Sequence, residues 1–282
     1  MAEIAITEYS DPACPWAYSA EPALRRVQWL YGEHLRWQTR MVVLSESVDA
    51  YEGSGFTPEC LSAALVRFAE DYGMPIETGL RSRMSATLPA CTAVVAARLN
   101  APGLERPLLR ALRVHNFAGD LLDDPLTIAA AAEDVGLDPA ELAGWSASAE
   151  VEDAVREDMV AARHPLPAAL ALNHKLAGWS GGRRYTCPSL EISRVGDGVP
   201  EAVPGFQPAA AYEVVLANVA PEIARREPPS SVEEVLEWAG APLATAELAA
   251  VCEISIEDAR RQLGSVAVER PFGTDSFWSL DA

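Results

Sequence analysis

The sequence predicts an α/β protein interrupted by a large helical block and followed by a small appended module. Three observations carry that prediction. Residues 3–8 alternate apolar and polar side chains, then give way to a helix-spaced run and a second strand-like run. Residues 57–177 are dominated by Ala, Leu, Glu and Arg, with repeated helix start and stop signals. Strand patterns return only after the glycine-rich stretch "GWSGGRR" at 178–184.

The elements follow in order. Ile4 and Ile6 set against Glu3, Ala5 and Thr7 predict the first strand. From about Pro15 to Tyr31 the apolar residues Tyr18, Leu24, Val27, Leu30 and Tyr31 predict one helix, stopped by Gly32. Leu35 to Leu44 reads as the second strand. In the helical block, Thr57-Pro58-Glu59, Asp124-Pro125 and Asp138-Pro139 are helix starts, and Gly73 is a stop. The stretch "GWSGGRR" reads as a loop. "TCPSLEISRV" and "GVPEAVPGF" are short strand candidates split by Gly196-Asp197-Gly198, and a helix from about Pro208 to Arg225 closes this half. Arg226 to Ser231, "REPPSS", reads as a linker. Helices at about 231–239, 244–252 and 255–263 and a hairpin around Pro271-Phe272-Gly273 then predict a winged-helix-like module.

Charge excludes several functions. The 282 residues hold 41 acidic and 22 basic side chains, a formal charge of -19 that repels nucleic-acid phosphates and anionic membranes. A winged helix suggests DNA binding, but residues 228–282 hold ten acidic side chains against three basic ones. Packing against the main domain or a second subunit is the expectation. The N-terminus has neither a basic segment nor a long apolar one, and no run approaches the ~18 apolar residues of a membrane span. The expectation is a soluble cytoplasmic protein without nucleic-acid or membrane partners, compatible with a monomer or a homodimer.

Cysteine usage points to chemistry. The five cysteines, at 14, 60, 91, 187 and 252, are odd in number and widely spaced, in a chain long enough to need no disulfide framework. In "SDPACPWAY", Cys14 falls where the first strand ends, and Pro15 suits the first helical position because its missing N–H costs nothing there. A thiolate at that point meets unsatisfied backbone N–H groups, which favour the nucleophilic form. A small buried cysteine at a strand-to-helix turn is the plain alternative.

From that turn the chain resembles the DsbA family of thioredoxin-fold oxidoreductases, in particular its FrnE-like cytoplasmic branch, whose active site follows an "SDPxCPW" turn. The resemblance runs over about residues 1–225. It implies a thioredoxin-like domain formed by residues 1–56 and 178–226, a helical insertion at 57–177 and a separate C-terminal module at 227–282. It also implies that Pro188, in Thr186-Cys187-Pro188, is the cis-proline that faces the active-site cysteine in this fold. Such a bend exposes the backbone of residue 187 to an extended substrate or a thiol cofactor. Pro15, Trp16, Ala17, Thr186 and Pro188 are then the expected thiol-binding residues, with Cys14 and Cys187 as the catalytic candidates.

The chain departs from the dithiol members at Ala17, where Cys-x-x-Cys carries the resolving thiol that releases substrate. Three chemistries remain. Cys14 works as a monothiol resolved by glutathione or mycothiol as co-substrate, with no tightly bound cofactor. Alternatively, Cys187 lies beside Cys14, if Pro188 is cis, and pairs with it. Thirdly, Cys14 binds a thiol cofactor, as a serine does at a similar turn in kappa-class glutathione transferases and 2-hydroxychromene-2-carboxylate isomerases. A scaffold that has lost its redox role and serves as a binding module is the non-enzymatic rival. Two cysteines without a histidine pair are too few for a closed metal site. Protein or small-molecule thiols and disulfides are the expected partners.

Among the remaining residues, Trp16 is placed to form a platform for an apolar substrate, while Tyr18 is expected to pack inward. Asp11 is expected to shape the turn before Cys14 and, as a carboxylate, to modulate its acidity. His115 is a candidate acid or base in a covering helix, against the plainer role of a hydrogen-bonded histidine. Cys60 lies near the helix start at Thr57-Pro58, and Cys91 and Cys252 lie in apolar runs.

Overall fold

The computed structural model describes residues 3–196 and 198–280. Asp197 of the Gly-Asp-Gly split, and Asp281 of the acidic C-terminal set, lie outside the described residues. Strand β1 (Ile4–Ser10) leads through the Cys14 turn into helix α1 (Pro15–Ser19), then α2 (Glu21–Tyr31) and strand β2 (Leu35–Met41). The single helix expected over 15–31 is therefore two. Pro22 has no N–H to offer the carbonyl four residues back, so the helix restarts at Glu21 with Pro22 in its first turn. Strand β2 ends at Met41 rather than Leu44, because Val43 adopts a left-handed conformation with φ of 55°.

The insertion is helical, with α3 (Pro58–Tyr72), α4 (Leu88–Asn100), α5 (Glu105–Ala118), α6 (Pro125–Asp134), α7 (Pro139–Ser146), α8 (Ala149–Ala162) and the short α9 (Pro167–Ala171). Its starts are capped as the sequence reads: Thr57, Asp124 and Asp138 accept first-turn backbone N–H groups, and Pro58, Pro125 and Pro139 follow them. Helices α4 to α8 bury their own aliphatic core, which reaches Met41 and Val43 at the end of β2. Asp158 of α8, 1% exposed, fixes this block to the sheet by accepting from Arg40, Arg98 and the Met41 N–H.

The stretch expected as a glycine-rich loop is instead a hairpin, β3 (Ala177–Trp179) paired with β4 (Gly182–Arg184). Strands β5 (Ser189–Arg194) and β6 (Glu201–Val203) complete the main sheet in the order β2-β1-β5-β6. Pairing of β1 is parallel to β2 and antiparallel to β5, with Tyr9 opposite Ser189. Helix α10 (Ala209–Val219) stops earlier than the Arg225 expected, at a segment containing Pro221.

The C-terminal module holds α11 (Val232–Ala239), β7 (Leu243–Ala244), α12 (Thr245–Cys252), α13 (Ile256–Val266), β8 (Val268–Phe272) and β9 (Asp275–Ser279). Three helices with a three-stranded sheet, ordered β7-β9-β8, have the winged-helix-like arrangement. The "REPPSS" segment does not separate two cores. Val235, Leu248, Leu263 and Trp278 of the module share one apolar core with Ile4, Ile6, Leu30 and Leu216. Trp29 of α2 is anchored into the connecting segment: its indole N–H donates to the Glu227 carbonyl at 2.9 Å, and Arg226 lies over its ring.

Candidate active site

Residues from four separate stretches meet at the carboxyl end of β1. Cys14 is the N-cap of α1, with Pro15 in the first turn, and its backbone is extended at φ -77° and ψ 114°. The turn is built by Asp11. Its Oδ1 accepts the Ala13 N–H at 2.8 Å, and its Oδ2 accepts the Leu44 N–H and the Thr87 hydroxyl, each at 2.8 Å, and the Cys91 thiol at 3.4 Å. The left-handed Val43 turns the chain so that the Leu44 N–H reaches this carboxylate. Asp11 is fully buried, and burial holds its carboxyl above the ordinary value against those four donors.

Across the site, the Cys187–Pro188 peptide bond is cis. The Cys14 thiol donates to the Cys187 carbonyl oxygen at 3.2 Å. Both cysteines are buried, at 6% and 4% exposure, and both are free thiols. Neighbouring hydrogen bonds hold this strand entry: the Thr186 hydroxyl donates to the Lys175 carbonyl at 2.8 Å, and the Ser189 hydroxyl to the Thr186 carbonyl at 2.7 Å. Gly205 accepts no larger residue easily, since its φ is 71° and a Cβ there would press on the Lys175 carbonyl oxygen at 3.3 Å.

The two sulfurs have opposite acidities. Cys14 is brought below the ordinary thiol value, first by hydrogen bonding from the Cys187 side chain and then by the backbone N–H groups of Ala17 and Trp16, against the effects of burial and Asp11. Cys187 is pushed well above it, first by burial and then by the Cys14 thiolate beside it. The arrangement thus favours ionisation at Cys14 over ionisation at Cys187. Cys91 is likewise pushed up by burial and by Asp11, so its sulfur serves the turn.

Ala17 is fully buried in the same small cluster as Cys14, Cys187, Tyr9 and Tyr185. Trp16, two residues after Cys14, is 43% exposed and belongs to an aromatic cluster. Its ring meets Phe68 edge-on at 4.8 Å, and it tilts against Tyr72 at 5.6 Å and Phe206 at 5.4 Å. Tyr18 packs inward, stacked on Phe117, with its hydroxyl donating to the Pro75 carbonyl. His115 is bound between Asp120 and Asp134, and Cys60 is exposed on the first turn of α3. Neither is in the Cys14 cluster. Thr87, Leu44 and Cys91 join the site without a sequence signal, because Asp11 reaches them across 33 to 80 positions. Among the described residues no group of three or more His, Cys, Asp or Glu is placed to hold a metal ion, and no helix is long and apolar enough to cross a membrane.

The rear of β1 is different in kind. Glu8 and Ser10 fall on the buried face begun by Ile4 and Ile6, and Arg113, 3% exposed, donates to both and to Glu21. Arg110 bridges Glu21 and Glu247, which also receives Arg25. This network joins the sheet, the helical block and the C-terminal module, and lines one end of a cleft of about 900 Å³ that does not include the cysteines.

A family model for the DSBA-like thioredoxin domain matches residues 5–165. The ClpXP adapter protein SpxH of Halalkalibacterium halodurans is 24% identical over 294 residues, spanning 97% of this chain and 87% of that protein. A probable DsbA oxidoreductase from Streptomyces coelicolor is similar in structure, with a TM-score of 0.54 at 20% identity over 79% of this chain and 93% of the other. The cytosolic disulfide reductase DsbM from Pseudomonas aeruginosa gives 0.52 at 17% identity, over 76% of this chain and 99% of the other. At these identities the likeness is one of fold.

Proposed function

Since the chain belongs to the DSBA-like thioredoxin domain family, we propose that it is a thiol–disulfide oxidoreductase of the FrnE-like branch, acting through Cys14 as its one nucleophile. The observation that carries this reading is the place of Cys14 at the N-cap of α1, where the Cys187 side chain and the backbone N–H groups of Ala17 and Trp16 bring its pKa below the ordinary thiol value. The thiolate attacks one sulfur of a substrate disulfide. The substrate S–S bond breaks, one substrate thiolate leaves and takes a proton from solvent, and the other half stays bonded to Cys14. Ala17 has no sulfur to open this mixed disulfide, so a second thiol must come from elsewhere. A low-molecular-weight thiol such as glutathione or mycothiol, supplied as co-substrate, meets that need, with Thr186, Pro188, Pro15 and Trp16 forming its seat. A cytoplasmic, reducing setting suits five free cysteines.

The test is turnover of a small or protein disulfide with glutathione as reductant. Cys14→Ser is expected to abolish exchange, by at least 100-fold on the usual scale of lost covalent catalysis. Turnover that survives the substitution would instead support a thiol-binding transferase or isomerase.

A second reading is favoured by the extent of the match to the SpxH protein, which includes the C-terminal module. There the chain is an adapter that presents a protein to a ClpXP-type protease, and the aromatic cluster around Trp16 is its contact surface. Reconstituted degradation that requires this chain but not Cys14 would establish that reading over the first.

A further inference from the structure

We propose that Cys187 is the resolving thiol, whose sulfur opens the mixed disulfide on Cys14 and closes a reversible Cys14–Cys187 disulfide across the site. The proposal rests on Cys14 being the nucleophile, and it assigns to a residue 173 positions away the part that Ala17 cannot take.

The contact geometry is the ground for it. The Cys14 sulfur lies 3.2 Å from the carbonyl oxygen of Cys187. That oxygen is two bonds from its own Cα, so the Cys14 sulfur is in direct contact with the residue whose Cα a disulfide would bring to within about 4.4–6.8 Å of the Cys14 Cα. Both sulfurs belong to one small apolar cluster with Ala17, Tyr9 and Tyr185. The strand entry that carries Cys187 is held by the Thr186 and Ser189 hydroxyls, so its sulfur stays at the site. Cys91, the other buried thiol close to the turn, donates to Asp11 and is occupied there.

Electrostatics orders the two steps. Burial keeps the proton on Cys187, and the hydrogen bond and charge of an ionised Cys14 add to it, so one nucleophile is presented. Once Cys14 is capped by substrate, its share of that effect is gone, and the Cys187 proton passes to the substrate sulfur as that sulfur leaves. The Cys187 sulfur attacks the Cys14 sulfur, the bond from Cys14 to substrate breaks, and the second substrate thiol leaves with that proton. The substrate disulfide has gained two electrons and become two thiols, and the two cysteines have lost two electrons and become one disulfide. Two equivalents of a low-molecular-weight thiol return the pair to the reduced state and leave as their own disulfide.

Glutathione disulfide is the probe, added in excess to the reduced full-length chain in a Cys60→Ser background, because Cys60 is the exposed thiol. Released glutathione is counted per chain and the products are mapped without reductant. The expected result is two thiols released and a peptide linking Cys14 to Cys187. Cys187→Ser is expected to release one and to hold glutathione on Cys14, a twofold difference, while Cys14→Ser releases none. A wild-type chain that releases one thiol and retains glutathione on Cys14 would overturn the resolving role and leave the monothiol reading standing. A wild-type chain that releases none, with Cys14 unmodified, would overturn both. The wild-type count decides the question even if the Cys187→Ser chain folds poorly.

Discussion

The two faces of β1 treat buried polar groups in opposite ways. At the rear, Arg113 meets Glu8, Glu21 and Ser10, and Arg110 meets Glu21 and Glu247, so each charge has a partner of opposite sign. At the front, Cys14 and Cys187 share one contact, and the nearest carboxylate, Asp11, is spent on the turn. A charge closed in by partners is fixed and serves the fold. A thiol whose ionised form is favoured by one other thiol and two backbone N–H groups, with no cation among the described residues paired to it, is left available for chemistry, as the proposed nucleophile requires.

Breaking the rear is expected to have the largest effect on stability. Arg113→Met roughly keeps the volume but strands Glu8 in a buried site and leaves Glu21 with Arg110 as its remaining ion-pair partner, at a cost of about 3–5 kcal/mol. Urea denaturation should show that loss. A cost below about 1 kcal/mol would mean that water reaches the carboxylates and that the rear is no more closed than the front.

Acid sharpens the same contrast. Burial alone would raise the Glu21 carboxyl, but Arg113, Arg110 and Arg25 outweigh it and bring it down to about 2. A carboxyl lower in the folded state stabilises the fold above its unfolded value of 4.5, and that contribution is lost as pH falls from there towards about 2. At about 1.4 kcal/mol per unit the loss is on the order of 3 kcal/mol. Stability measured between pH 6 and pH 3 should fall more steeply in the wild type than in Glu21→Gln. Parallel curves would remove Glu21 from the account of acid sensitivity.

The same division explains what was legible in the sequence. Cys14, Pro15 and the strand-to-helix turn are local, set by residues within a few positions, and the resemblance carried Pro188 with Cys187. The capped helices of the insertion were equally readable, because Thr57, Asp124 and Asp138 act on their own first turns. The Asp11 cradle was not, since Leu44, Thr87 and Cys91 arrive from other elements, and Val43 must adopt a conformation that a β-branched residue ordinarily avoids. Glu8 in the first strand carries no mark of burial, because its partner Arg113 lies 105 positions away. The hairpin at 177–184 was hidden by its glycines, and the continuity of the module's core with α2 by a proline-rich connection that resembles a linker.

The smallest expected effect on the fold falls on the front, at Trp16. This side chain is 43% exposed and touches Phe68, Tyr72 and Phe206, so Trp16→Ala gives up aromatic contacts but strands no buried charge. Such contacts are worth about 0.5–1.5 kcal/mol each beyond the area they bury, and at a half-open site the total should stay near about 2 kcal/mol. Function should respond differently. An aromatic cluster holding Trp16 offers apolar surface to an extended polypeptide but little to the small, polar glutathione disulfide. Trp16→Ala should therefore lower kcat/KM for a peptide disulfide several-fold more than for glutathione disulfide, mostly through KM, as expected when an interaction made equally in ground and transition states is removed. Equal losses with both substrates, carried by kcat, would instead make Trp16 a positioning residue for Cys14, and the front would then be braced by its aromatic residues much as the rear is by its ion pairs.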